Sequence, residues 1–235
     1  TAQVTLCGGR AVHYLSDESN GWNPDPADIA ARITPRTKAI VLINPNNPTG
    51  AVYSGQTVRG IVELAREHGL IVLSDEVYEK IIYHGEHVHA AGPAGDDVLC
   101  LTFSGLSKAY RVCGYRAGWV AITGPKHEAA NYIEGIPLLA SMRLCSNVPA
   151  QHAIQTALGG YQSIDALVAP GGRLHEQRDV AYRMLNEIDG ISCNQSDGAL
   201  YLFPKVDTEK FNIVDDEKFM LDLLKEQKIL FSHGG

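Results

Sequence analysis

The chain has 235 residues, 45% of them hydrophobic, enough to bury a sizeable core in one large domain or two small ones. A formal charge of −7 and a pI near 5.7 argue against a general nucleic-acid or anionic-membrane surface. No apolar run approaches a bilayer-spanning length, and no basic-then-apolar leader begins the chain. The five cysteines (Cys7, Cys100, Cys113, Cys145, Cys193) are scattered and form no C-x-x-C pair, which suits reduced thiols in a cytoplasmic protein.

Short apolar runs alternate with helical patterns, the signature of a parallel sheet with crossover helices. Ala39–Ile43 reads as a buried strand. Val58, Ile61, Val62 and Ala65 then fall on one helix face, and Gly69 is a C-terminal stop. Leu70–Leu73 and Val98–Phe103 read as further strands, and Tyr115–Ile122 as another whose direction is not legible. Past Ser141, helices are expected over Val148–Leu158 and Arg173–Ile188. Short strands follow at Ile191–Cys193 and Ala199–Phe203 around a turn at Ser196-Asp-Gly198. A helix is expected over Phe219–Glu226 and a strand over Ile229–Phe231, with Phe231–Gly235 closing the chain without a further element. The expected class is α/β, with a mainly parallel central sheet in a large domain (1–172) and a smaller α+β domain (173–235).

Three segments sit just past the C-terminal ends of the first three strands: Asn44-Pro-Asn-Asn-Pro-Thr-Gly50, Ser74-Asp-Glu-Val-Tyr78 and Ser104-Gly-Leu-Ser-Lys108. They recur about every 30 residues, the length of a βαβ unit, and such strand ends converge on ligands. A lysine on a small-residue turn after an apolar strand can be held deprotonated and form an imine with an aldehyde cofactor. Around Lys108, pyridoxal phosphate would find an acid for its ring nitrogen in Asp75. Asn47 and Tyr78 would be donors to its phenolic oxygen. Arg116, eight residues after Lys108, would bring a rigid cationic fork to its phosphate, with hydroxyls from Ser104 and Ser107. A carboxylate about 4 Å from the ring nitrogen contributes on the order of 4 kcal/mol at an effective dielectric of 20, or up to about 3 pKa units.

Each piece has a plainer reading. Asp75 suits a helix N-cap, with Glu76 and Glu79 in the first turn. Asn, Pro and Gly make ordinary loops, tyrosines pack half-buried, and arginines are solvated. His84, His87 and His89 read as a polar surface loop rather than a metal site, since no H-E-x-x-H or cysteine partner accompanies them. Cys100 reads as core, and Cys113 as an ordinary thiol despite its nearness to Lys108. Gly159-Gly160 and Gly171-Gly172 read as turns. The order of the four motif pieces is what lifts them above these readings.

Together, Asn44–Ser54 (NPNNPTGAVYS) and Gly105–Val112 (GLSKAYRV) resemble the class I/II aminotransferases, fold type I of the pyridoxal-phosphate enzymes. Ser141–Gly160, Gly171–Gln177 and Gly198–Pro204 resemble its bacterial glutamate–pyruvate (alanine) aminotransferase group. Carried over by position, the resemblance implies that Lys108 bonds the cofactor and carries a proton from the substrate α-carbon. It makes Asp75 the partner of the pyridine nitrogen, Asn47 and Tyr78 the partners of the phenolic oxygen, and Arg116 and Ser107 phosphate ligands. Many members carry serine where this chain has Gly105, which bears on one phosphate contact.

The resemblance implies amino transfer between alanine or glutamate and the matching 2-oxo acids, in a homodimer. Aspartate or aromatic aminotransferases, a lyase of the same fold, or a regulator with an aminotransferase-like effector domain are the alternatives. The family's N-terminal part brings a second phosphate loop and a ring-stacking aromatic residue, and its C-terminal part an arginine for the substrate α-carboxylate. Neither lies between Thr1 and Gly235. The chain is therefore expected to be truncated at both ends and, by itself, a poor transaminase.

Overall fold

A computed structural model describes residues 1–232. The first turns are α1 (Ala2–Leu6), a two-stranded antiparallel pair of β1 (Ser16–Asp17) and β2 (Asn23–Pro24), and α2 (Pro26–Arg32). Helix α2 starts where its sequence requires, with Asp25 accepting from the Ala27 amide and Pro26 in the first turn. The central sheet follows with β3 (Ala39–Ile43), α3 (Gly55–Glu67), β4 (Ile71–Asp75), the short α4 (Ala91–Ala94), β5 (Cys100–Gly105) and β6 (Gly118–Thr123). Strands β3, β4 and β5 are parallel neighbours, and β6 adds an antiparallel edge. The fold class is α/β with a mainly parallel sheet.

Helix α3 begins at Ser54, which caps the Thr57 amide, and stops before Gly69, whose φ of 60° ends the helical path. Its stripe of Val58, Ile61, Val62 and Ala65 is fully buried against Ile40, Leu42, Val72 and Cys100. Burying each branched side chain contributes about 1.5–3 kcal/mol, so this contact anchors the sheet. The opposite face is more open: Val41 is 48% and Phe103 40% exposed. Strand β3 is therefore buried on one face only, not on both as its apolar run suggests.

The edge strand begins three residues later than expected. Cys113–Tyr115 forms a 3-10 turn and Arg116 takes φ 49°, which reverses the chain into the antiparallel ladder. Gly105 and Gly118 face each other across that ladder. A Cβ on Gly105 would lie 3.1 Å from the Ala117 carbonyl oxygen, which leaves little room for a side chain there.

Beyond the sheet lie α5 (Ala130–Arg143), α6 (Val148–Gly159), α7 (Ser163–Val168) and α8 (Arg173–Asn186), then β7 (Ile191–Ser192), β8 (Lys205–Val206) and α9 (Asp216–Gln227). No residue of α5 is buried and Pro137 lies inside it, so it has no apolar stripe for periodicity to reveal. Strand β7 stops at Ser192 because the Cys193 amide donates to Asn186 Oδ1 instead of a ladder. Two expected strands are not formed. Ala199–Phe203 starts with Ala199 at φ 56°, and its amide donates to the Ile81 carbonyl, so the partner of β7 is β8. Ile229–Phe231 is exposed and has no neighbouring strand among the described residues. The expectation for Phe231–Gly235 extends past the described residues.

Candidate active site

The parallel strands β3, β4 and β5 end side by side, with Ile43 opposite Asp75 and Asp75 opposite Phe103. Their carboxyl ends deliver the three sequence segments to one place, as open α/β sheets do for ligands. Asp75, Ser104, Ser107, Lys108, Cys113 and Arg116 line a shared cavity of about 330 Å³. That size lies within the range of small-molecule sites.

Asp75 is the last residue of β4, and a turn follows it rather than a helix. Its Oδ1 accepts from the Val77 amide at 3.2 Å, closing the turn; Oδ2 bonds to no described residue. The capping role is therefore half right, and one oxygen of a half-buried carboxylate remains for a ligand. Lys108 is half-buried and forms no ion pair among the described residues. Its Nζ lies 5.4 Å from the centroid of the Tyr78 ring. Arg116 Nη1 donates to the Cys113 carbonyl at 2.7 Å and approaches Ser107 Oγ at 3.4 Å, so the guanidinium and the hydroxyl meet at one end of the cavity.

Tyr78 is buried and does not itself line the cavity; it backs onto Lys108. Burial first, then the hydroxyl of Tyr201 and the charge of Asp75, push its phenol above the ordinary tyrosine range. It therefore stays a neutral donor. Asn47 is exposed, bonds to none of the described residues and is not brought to the cavity wall. Its neighbours shape the loop: Asn46 Nδ2 donates to Tyr53 Oη at 2.8 Å, and Asn46 Oδ1 accepts from Thr49 Oγ1 at 2.8 Å.

The histidines depart from a plain surface loop. His84 is exposed, but His87 is buried beside the buried Glu76. The Tyr53 amide donates to Asn44 Oδ1, which turns Asn44 Nδ2 toward His87 Nδ1. His87 Nε2 must then carry the proton, and it donates to Glu76 Oε2 at 3.0 Å. Glu76 also accepts from Ser74 Oγ, the Ala90 amide and His89 Nδ1. Glu76, His87 and His89 each offer a metal-ligand atom within 4.8 Å of one another. In this network Glu76 is a satisfied buried anion joining the loop after β3 to the loop after β4.

Burial alone would raise the Glu76 pKa; the bonds from His87, the Ala90 amide, His89 and Ser74 outweigh burial and bring it to about 2, against an ordinary 4.5. Because the folded value is the lower one, the unfolded state takes up its proton first as the pH falls. The stabilisation is fully present above about pH 5 and is lost progressively between 4.5 and 2, roughly 3 kcal/mol in all. Urea unfolding of the protein and of Glu76→Gln from pH 7 to pH 3 checks this. The wild type should lose stability more steeply with acid, and equal slopes would contradict the assignment.

Glu76, His87 and Tyr201 escape a reading of spacing alone. Glu76 looks like part of a helix turn, and the partners of His87 lie 11 and 43 residues away. Tyr201 reaches Tyr78 from 123 residues away, and its only sequence signal is the Gly198-Ala-Leu-Tyr block.

The family described as "Aminotransferase class I and II" matches residues 1–235. An alanine aminotransferase of Mycobacterium bovis is 62% identical over 235 residues, and the glutamate-pyruvate aminotransferase AlaA of Escherichia coli K12 is 58% identical over 234. Both alignments cover 100% of this chain but only 54% and 58% of those relatives, so the chain spans little more than half their length. A crystal structure of an aminotransferase from Escherichia coli superposes with a TM-score of 0.95 at 59% identity, over 98% of this chain and 57% of that one. With that family matched over the chain's whole length and a superposition this close, the chain belongs to the class I and II aminotransferases.

Proposed function

We propose that the protein carrying this chain transfers an amino group between an amino acid and a 2-oxo acid, with pyridoxal 5'-phosphate held at Lys108. The observation that carries the reading is the convergence of Asp75, Ser107, Lys108 and Arg116 on one cavity of about 330 Å³. The donor set fits the cofactor. Asp75 keeps one oxygen unbonded, Lys108 has no carboxylate partner among the described residues, and Arg116 and Ser107 stand together where a phosphate needs donors. When bound, the cofactor supplies an aldehyde that captures amines and a ring that accepts the electron pair left by a departing α-proton.

The chain's own residues do the rest. Asp75 holds a proton on the ring nitrogen, Arg116 and Ser107 bind the phosphate, and Tyr78 donates to the phenolic oxygen. Asn47 is assigned to the same oxygen by its position in the loop. Lys108 Nζ takes the α-proton from the substrate.

Alanine with pyruvate and glutamate with 2-oxoglutarate are the proposed pairs, supported by the names of relatives 62% and 58% identical. A homodimer is supported by α5, which exposes Leu138, Leu139 and Met142. A cytoplasmic location is supported by five unpaired cysteines, and no helix among the described residues is long and apolar enough to cross a membrane. The division into a cofactor domain (1–172) and a smaller domain (173–235) is supported by the separate β7–β8 sheet. Amino transfer to 2-oxoglutarate from alanine, aspartate and phenylalanine, with the protein saturated in cofactor, tests the substrate class. Alanine should lead in kcat/KM by about 10-fold or more; a preference for aspartate would redirect the assignment.

A further inference from the structure

Two glycines let distant parts of the chain touch behind the Lys108 cavity. Gly50 has φ 74°, and a Cβ there would lie 2.4 Å from Ser196 Cβ and 2.8 Å from the Tyr201 carbonyl oxygen. A Cβ on Gly198 would lie 2.9 Å from the Ile81 carbonyl oxygen. Larger residues at either position would force the segments apart. Within this approach the backbone is pinned at several points. The Gly198 amide donates to the Gly50 carbonyl at 2.8 Å, and the Ala199 amide to the Ile81 carbonyl at 2.9 Å. Tyr83 Oη donates to the Ala199 carbonyl at 3.0 Å. Tyr201, two residues on, therefore arrives in a fixed place. Its ring meets Tyr78 edge-on, with centroids 5.5 Å apart at 77°, and the two hydroxyls are hydrogen-bonded.

We propose that Tyr201 is a positioning residue whose hydroxyl donates to Tyr78, so that the Tyr78 proton is directed at the cofactor's phenolic oxygen. The proposal deepens the function given above and rests on Tyr78 being a partner of that oxygen. A phenol has one proton to give and lone pairs to receive. Two bonded phenols share one of their two protons between them, and which one donates inward is open until a third group decides. An anionic phenolic oxygen can only accept. Facing it, Tyr78 must give its proton outward, and Tyr201 must supply the proton between the rings. Donation from Tyr201 polarises the Tyr78 hydroxyl and strengthens its outward bond by perhaps 10–30%, on the usual scale of hydrogen-bond cooperativity. Because Tyr201 belongs to the segment pinned by Gly50 and Gly198, the position of that segment is coupled to the electronics of the site.

The test is a spectrophotometric pH titration of the cofactor-loaded protein, which reads the proton on the nitrogen of the bound chromophore rather than turnover. Donors to the phenolic oxygen lower the pH of that transition. Tyr78→Phe should raise it by about one unit, the scale of one hydrogen bond to a charged group. Tyr201→Phe, which keeps the ring contact, should raise it by about 0.3 unit, a twofold change in proton affinity. In the double variant the Tyr201 effect should vanish, leaving the Tyr78→Phe value. A shift with Tyr78→Phe but none with Tyr201→Phe overturns this proposal alone. So does a Tyr201→Phe shift that persists without the Tyr78 hydroxyl. If Tyr78→Phe itself leaves the transition unmoved, the underlying assignment of Tyr78 to the phenolic oxygen falls first, and this proposal with it.

Discussion

Lys108→Ala should lower amino transfer by about 10⁴-fold, the upper end of what a positioned proton carrier contributes, while leaving the fold intact. The fold survives because Lys108 Nζ holds no hydrogen bond or ion pair that the substitution would orphan among the described residues; its one recorded contact is with the face of Tyr78. Added ethylamine should restore part of the lost rate, since it returns a free amine to the vacated space. Rates within tenfold of the wild type would remove Lys108 from the chemistry. The comparison is made in the full protein with cofactor in excess, so that weakened binding is not mistaken for slowed proton transfer.

Asp75→Asn should retain the cofactor and lose about 10²–10³-fold in the rate of α-proton transfer. The amide oxygen of asparagine can still accept from the Val77 amide, so the turn after β4 is kept. What is lost is the negative charge that holds a proton on the ring nitrogen, worth on the order of 4 kcal/mol at about 4 Å and an effective dielectric of 20. Single-turnover measurement of α-deuterium loss separates this from binding. A rate near normal would mean that Asp75 serves only to end its strand and close the turn.

The parts of the site encoded locally were legible. Mainly apolar runs of four to six residues followed by polar or turn residues mark β3, β4 and β5 and the loops at their ends, because strand burial and turn chemistry are properties of adjacent residues. The α3 stripe was legible for the same reason. The direction of β6 was not, since it depends on the left-handed turn at Arg116 and on the close Gly105–Gly118 approach. Ala199–Phe203 has the composition of a strand, yet the Ala199 amide donates to Ile81 and the Gly198 amide just before it to Gly50, partners that no window of sequence contains. His87 looks like a loop histidine until the buried Glu76 is seen to need donors. Asn47 shows the opposite case: its motif singles it out, while within this chain its side chain stays exposed and unbonded among the described residues.

The central claim is that one amine, Lys108, holds the cofactor covalently. The measurement is borohydride reduction of the cofactor-loaded protein followed by peptide mapping. One pyridoxyl label on the peptide that contains Ser107-Lys108-Ala109 is the predicted result. A label on another lysine, such as Lys80 or Lys126, or no label on protein that binds the cofactor, would contradict it.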